Sequence, residues 1–140
     1  MVRSIYERWN RDPAGMAAAV TSGVTDHDDF ALDLFDPAVE IRQIGAVLDT
    51  AGTFHGHAGM LRAAKELHEA FETIEWMPER WTEEGEWLIV SLRMVAVGDY
   101  SGIETETPVA HAWRVRDGRV TDFRVYENQR KAVEATRLGE

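Results

Sequence analysis

At 140 residues the chain has the length of one domain, expected to span 1–140, since domains commonly run to about 100–150 residues. It contains no cysteine, which excludes disulfides, thiolate metal sites and cysteine nucleophiles and suits a reducing cytoplasm. Its formal net charge of −10 repels phosphate backbones and anionic lipid, and no apolar run approaches the roughly 20 residues of a membrane span or forms the centre of a signal peptide, so neither nucleic acid nor membrane is an expected partner.

The first third has a helical pattern. Ile5 and Trp9 share one face of a first helix, with charged residues between them. Asp12-Pro13 reads as an N-cap followed by proline at the first helical position, opening a second helix through AGMAAAV. A polar stretch, TSGVTDHDD, breaks it. Phe30 and Leu34 predict a short third helix that stops at Asp36-Pro37. VEIRQ at 39–43 then predicts a strand carrying Ile41 and Gln43, followed by a small-residue loop through Gly52. From Gly56 to Thr73 the pattern is the clearest helix, with Met60, Ala64, Leu67 and Phe71 on its apolar face.

Strands follow. Ile74–Thr82 leads to a turn at Glu84-Gly85, and Trp87–Val97 is a long apolar run. A loop from Gly98 to Pro108 precedes a hairpin of Val109–Arg116 and Arg119–Tyr126, and NQRKAVEATRLGE closes the chain as a helix capped by Asn128. Helices first and long antiparallel strands after them make an α+β pattern.

The last hairpin can close in two ways. A two-residue turn at Asp117-Gly118 pairs Arg116 with Arg119, and each face then mixes apolar and charged groups. A three-residue loop pairs Val115 with Arg119. It gathers Val109, His111, Trp113, Val115, Thr121, Phe123, Val125 and Glu127 on one face, and leaves Ala110, Ala112, Arg114, Arg116, Val120, Asp122, Arg124 and Tyr126 on the other. The second arrangement separates apolar from polar better and is adopted. It sets His111 and Glu127 in an otherwise apolar surface, where a polar group needs a partner or a ligand. With Phe123 opposite His111, Glu127 lies about 13 Å further along at the usual strand rise.

His111 therefore reads either as a ligand contact able to donate to a carbonyl or shuttle a proton, or as a core histidine bonded to Trp, Tyr or backbone. Glu127 reads either as an acid or base raised by desolvation, or as a rim carboxylate paired with Arg124 or Arg130. Trp9 and Trp113 are pocket walls or core. His55, His57 and His68 have poor metal spacing, and Gly56-His57 suits the start of the long helix, so no metal and no cofactor are expected. Asp26, His27, Asp28 and Asp29 read as a solvated loop and cap.

IYERWNRD, LFDPAVEI, TFHGHAGMLRAAKEL and PVAHAWRVRDGRVTDFRVYENQRKAVEATRL, in that order, resemble the SnoaL-like branch of the nuclear transport factor 2-like superfamily. The stretch around 12–29 is longer than in compact members. The resemblance implies a cone: a strongly curved antiparallel sheet wrapped around the long helix, with N-terminal helices closing the open end. It also implies a pocket for an apolar small molecule and a homodimer through the outer sheet face. Chemistries on this fold include ketosteroid isomerisation, polyketide ring closure, dehydration and epoxide hydrolysis. In ketosteroid isomerases the general base follows a Val-Glu pair, and here that place holds Ile41. Their helix-borne tyrosine falls at Ile5, one residue from Tyr6, and their second donor falls at His111. In SnoaL-like cyclases the acidic residue near the end of the last strand falls at Glu127. The implied reading is acid/base chemistry on an apolar carbonyl compound, by cyclisation, isomerisation or dehydration, with steroid isomerisation disfavoured. The alternative is a ligand-binding domain without turnover. His111 and Glu127 are the candidate catalytic residues; Trp9, Ile41, Gln43, Trp113, Phe123 and Val125 are the candidate lining.

Overall fold

The computed structural model describes residues 1–23, 30–43 and 52–138. Helix α1 (Val2–Arg11) forms because Val2, Ile5, Tyr6 and Trp9 recur every three to four residues and share one buried stripe. At its end the Asp12 carboxylate accepts the Gly15 amide at 3.1 Å, capping α2 (Pro13–Ser22). The cluster at Asp26–Asp29 lies outside the described residues. A single 3₁₀ turn, Leu32–Leu34, stands where the pattern predicts a helix. Ala31 before it is left-handed (φ 60°) and Phe35 after it is already extended, so only one turn fits.

Strand β1 (Phe35–Gln43) starts earlier than its pattern suggests and contains Asp36-Pro37. Its pairing is irregular between Phe35 and Glu40, so the missing proline N–H breaks no regular ladder there. Strand β2 (Gly52–His55), which starts at the end of the expected loop and falls on residues given no element, pairs antiparallel with β1. Helix α3 (Gly56–His68) ends before Phe71, because Phe71 and Thr73 pair with Gly98 and Val97 instead. Aromatic and β-branched residues favour that choice. Strands β3 (Phe71–Glu84), β4 (Trp87–Gly98), β5 (Glu104–Arg116) and β6 (Arg119–Tyr126) follow, and α4 (Gln129–Arg137) starts at Asn128, whose side chain accepts the Lys131 amide at 2.9 Å. Because β5 begins at Glu104, the loop expected from 98 to 108 shrinks to 99–103.

The six strands form one curved, unclosed sheet in the order β2-β1-β6-β5-β4-β3. Every neighbouring pair is antiparallel except β1 with β6, which is parallel. The fold is α+β with helices α1 to α3 against one sheet face, as the pattern of elements implies. Helix α3 lies so close to β2 that a Cβ on Gly59 would stand 3.1 Å from Phe54.

The β5–β6 hairpin corrects the expected turn while keeping His111, Trp113, Phe123 and Val125 on the shared face expected of them. Arg116 pairs with Arg119, so the turn has two residues, Asp117 (φ 52°) and Gly118 (φ 75°), both left-handed as a type I′ turn requires. The register then shifts: Val115 pairs with Val120, but Arg114 pairs with Asp122, leaving Thr121 as an extra residue. This bulge returns Phe123 and Val125 to the face of His111 and Trp113. Trp113 stands opposite Phe123 and His111 opposite Val125, two residues from the pairing expected.

The inner face packs Trp113, Phe123, Val90, Leu92 and Met94 against Ile5, Tyr6 and Trp9 of α1 in the main core. Val120 joins that core rather than the outer face. On the outer face a smaller core of Trp87, Ile89, Ala110, Ala112 and Tyr126 is covered by Ala132 of α4. Each large side chain fully buried this way stabilises the fold by about 1.5–3 kcal/mol.

Candidate functional site

Between the inner sheet face and helices α1, α2 and α3 lies a cavity of about 90 Å³. That is room for several waters or part of a small organic molecule. Its walls are mostly apolar: Trp9 from α1, Met16 from α2, Leu67 from α3, Ile41 from β1, Trp76 from β3 and Phe123 from β6 are among them. The polar side chains at its border, among the described residues, are Gln43, His68 and His111.

α1 brings Trp9 to the wall and is itself fixed at both ends of that contact. The Trp9 indole N–H donates to the Phe30 carbonyl at 3.1 Å. Asn10 donates to the Trp76 carbonyl at 2.6 Å and accepts the Trp76 amide at 2.7 Å. Strand β3 is a sheet edge, so Asn10 acts there as one residue of a missing neighbour strand.

His111 is fully buried on the central strand β5. Its Nδ1 lies 2.6 Å from the Tyr6 hydroxyl, and the Trp113 indole N–H donates to the same hydroxyl at 3.1 Å. An indole N–H can only donate, so the Tyr6 oxygen is the acceptor of that bond, and giving its own proton to the His111 Nδ1 lone pair leaves the fewest buried groups unpaired. His111 then carries its proton on Nε2, a buried atom with no hydrogen-bond partner. The bonding order thus puts an N–H donor on a ring that borders the cavity. Burial lowers the His111 pKa to about 3, so the ring is neutral near pH 7. Burial likewise raises the Tyr6 hydroxyl well above its usual value, against a smaller lowering by the bond from Trp113, so Tyr6 remains a phenol.

His68, at the end of α3, is also buried, and its Nδ1 has no hydrogen-bond partner. Desolvation lowers its pKa, opposed by a hydrogen bond to the Phe71 backbone and by the charge of Asp99.

Of the side chains expected at the site, His111, Trp9, Ile41, Gln43, Phe123 and Val125 border this one cavity. Trp113 does not: it is fully buried behind His111 and holds Tyr6. Glu127 does not either. Strand β6 ends at Tyr126, and Glu127 is exposed and forms an ion pair with Lys131 on the first turn of α4. Tyr6, His68, Met16 and Trp76 are site residues that sequence reasoning missed. His68 is four residues after Ala64, so the helical period that marked Ala64 also marks it. His55 is exposed and the His57 ring donates to the Phe35 carbonyl at 2.8 Å. Among the described residues no group of three or more His, Asp or Glu could hold a metal ion.

A sequence model described as the SnoaL-like domain matches residues 2–123. Among solved structures, a nuclear transport factor 2-like protein of unknown function from Burkholderia pseudomallei superposes with a TM-score of 0.70 at 18% identity, covering 95% of this chain and 92% of its own. TerC, crystallised with polyporic acid, gives 0.62 at 20% identity over 86% of this chain and 93% of its own. A protein with a ketosteroid isomerase-like fold from Catenulispora acidiphila, in complex with trimethylamine, gives 0.63 at 16% identity over 89% and 85%. No curated protein sequence matches the chain.

Proposed function

For a chain that belongs to the SnoaL-like domain family, we propose a site in which the neutral imidazole of His111 holds the carbonyl oxygen of a small, largely apolar molecule. The observation that carries this reading is the buried, unpartnered Nε2 of His111, given its proton by the order Trp113 to Tyr6 to His111. A donor fixed in an apolar, low-dielectric wall is worth more to an oxygen that gains negative charge than to one that does not. That makes the site suited to the enolate-like states of cyclisation, isomerisation or dehydration. TerC, which shares the fold, was crystallised with polyporic acid.

Ligand binding without turnover is the second reading, and one observation favours it. Ile41 occupies the place of the steroid isomerase base, and no carboxylate stands among the described residues that line the cavity. Glu127 can take part only from outside that lining. The proposal also includes a homodimer through the outer sheet face, restricted to the stretch that α4 leaves uncovered; sedimentation showing only monomer at micromolar concentration would remove it.

The His111 contact is tested by titrating acetophenone, a minimal apolar carbonyl compound, into the protein by calorimetry. His111→Ala is expected to weaken binding by about 1–3 kcal/mol, the scale of a lost buried hydrogen bond. Unchanged affinity in a folded His111→Ala would sink the proposal.

A further inference from the structure

The proposed carbonyl contact leaves one buried polar atom at the cavity unexplained. His68 borders the same cavity, and its Nδ1 has no partner although the residue is only 7% exposed. A buried polar atom without a partner costs about 1–3 kcal/mol, so its persistence calls for an explanation. The Phe71 backbone acts on the ring to raise its pKa, the direction expected of a carbonyl facing a ring N–H. Since Nδ1 has no partner, the donating atom is Nε2. The neutral ring then keeps a lone pair on Nδ1, and burial holds it neutral.

The two histidines are therefore opposite in character. His111 offers an N–H, and His68 offers a lone pair. They come from different elements, β5 and α3, and meet the same apolar space. A ligand with a carbonyl alone satisfies only the first.

We propose that His68 Nδ1 accepts a hydrogen bond from a hydroxyl group of the ligand, so that the cavity takes hydroxylated carbonyl compounds, with the carbonyl on His111 and the hydroxyl on His68. This rests on the carbonyl reading of His111 and adds the second half of the recognition. It also explains why a helix whose other buried residues are Gly59, Ala63 and Leu67 ends in a buried histidine. A site built to pair with a hydroxyl discriminates strongly against the analogue that lacks it, because the protein atom is then left unpaired.

The test compares acetophenone with its ortho, meta and para hydroxy derivatives on the full chain by calorimetry. One of the three isomers should bind the wild-type protein roughly three- to tenfold more tightly than acetophenone, the range of one net hydrogen bond. In His68→Leu that isomer should lose its advantage over acetophenone, both ligands being measured on the same variant. Protein labelled with ¹⁵N-histidine gives a reading that needs no variant. The His68 Nδ1 resonance should move with the preferred isomer and stay in place with acetophenone. The inference is overturned if no isomer is preferred, if the preference survives in His68→Leu, or if the Nδ1 resonance does not respond. Acetophenone binding that depends on His111 but shows no hydroxyl preference overturns this inference alone. Failure of every probe to bind the wild type overturns the carbonyl reading with it.

Discussion

Tyr6 reaches across the fold to His111 and Trp113, and the three side chains form one buried hydrogen-bonded chain beside the cavity. Tyr6 accepts from Trp113 and donates to His111, and neither partner has another hydrogen bond from the atoms involved. Tyr6→Phe should therefore cost about 1–3 kcal/mol in urea unfolding, because it leaves the indole N–H and His111 Nδ1 buried and unpaired. A stability equal to wild type would mean the order of bonds is wrong. His111 also makes stability depend on pH. Its folded pKa, about 3, lies below the unfolded value near 6.5, so in that window the unfolded chain binds the extra proton. Its contribution is complete above about pH 6.5 and declines as pH falls toward 3, by at most about 1.4 kcal/mol per unit. His68, shifted in the same direction, adds a slope of the same sign. His111→Asn should flatten the decline between pH 6.5 and 5, a window above most carboxylate titrations, and an unchanged slope would count against a buried neutral His111. The sequence shows His111 on an apolar face because that needs only strand alternation. It does not show Tyr6 as its partner, 105 residues away, since no local period reports a contact across the sheet. The surroundings of Glu127 are hidden for a similar reason. Alternation continues past Tyr126 on paper, but the backbone leaves the strand there and the carboxylate turns to Lys131.

Whole elements explain why the faces could be read while the pairings could not. Apolar and polar residues alternate along β5 and β6 only if the register is even, which is a property of composition. Whether a longer turn or a bulge supplies the even register depends on backbone geometry at Asp117, Gly118 and Thr121, and the pattern is the same for both. Deleting Thr121 should therefore be far worse than an ordinary loop deletion. Phe123 and Val125 would exchange faces with Asp122 and Arg124, putting charges against Trp113 and Trp9, at a cost of several kcal/mol or more. Loss of a cooperative transition in near-ultraviolet circular dichroism is expected, and a cooperatively folded deletion mutant would show that the bulge does not set the register. Strand β2 escaped notice because GTFH is too short to display a period, and the end of α3 was overrun because Phe71 fits both the helical face and the strand that claims it. Asn10 belongs to the same scale. Asn10→Ala should speed hydrogen exchange at the Trp76 amide and cost about 1–3 kcal/mol, since two part-buried backbone groups lose their partner.

At the scale of the molecule, the sheet has work on both faces. The inner face holds the main core and the cavity. The outer face carries Trp87, Ile89, Ala110, Ala112 and Tyr126, and α4 lies over them. The helix is tied down at both ends: Gln129 donates to the Thr82 hydroxyl at 3.1 Å, and Arg137 donates to Glu84 at 2.6 Å. Beyond the helix the outer face mixes apolar side chains such as Met77 and Val95 with charged ones, Arg93 bridging Glu79 and Glu106 at 3.2 and 3.0 Å. The most deeply buried apolar part of the face that the resemblance assigns to a dimer is thus already occupied by the chain's own helix. Removing residues 129–140 should uncover that patch. The lost burial of Trp87 and Ile89 alone is worth on the order of 3 kcal/mol, a large part of the 5–15 kcal/mol that holds a domain of this size folded. The shortened chain should therefore melt earlier and self-associate, because an exposed apolar patch on a sheet face seeks another surface. The cavity lies on the opposite face, so whatever fraction stays folded should still bind acetophenone with the affinity of the full chain. Sedimentation velocity and thermal unfolding of the two chains side by side decide the matter. A truncated protein as stable and as monodisperse as the full one would mean that α4 adds little to the fold.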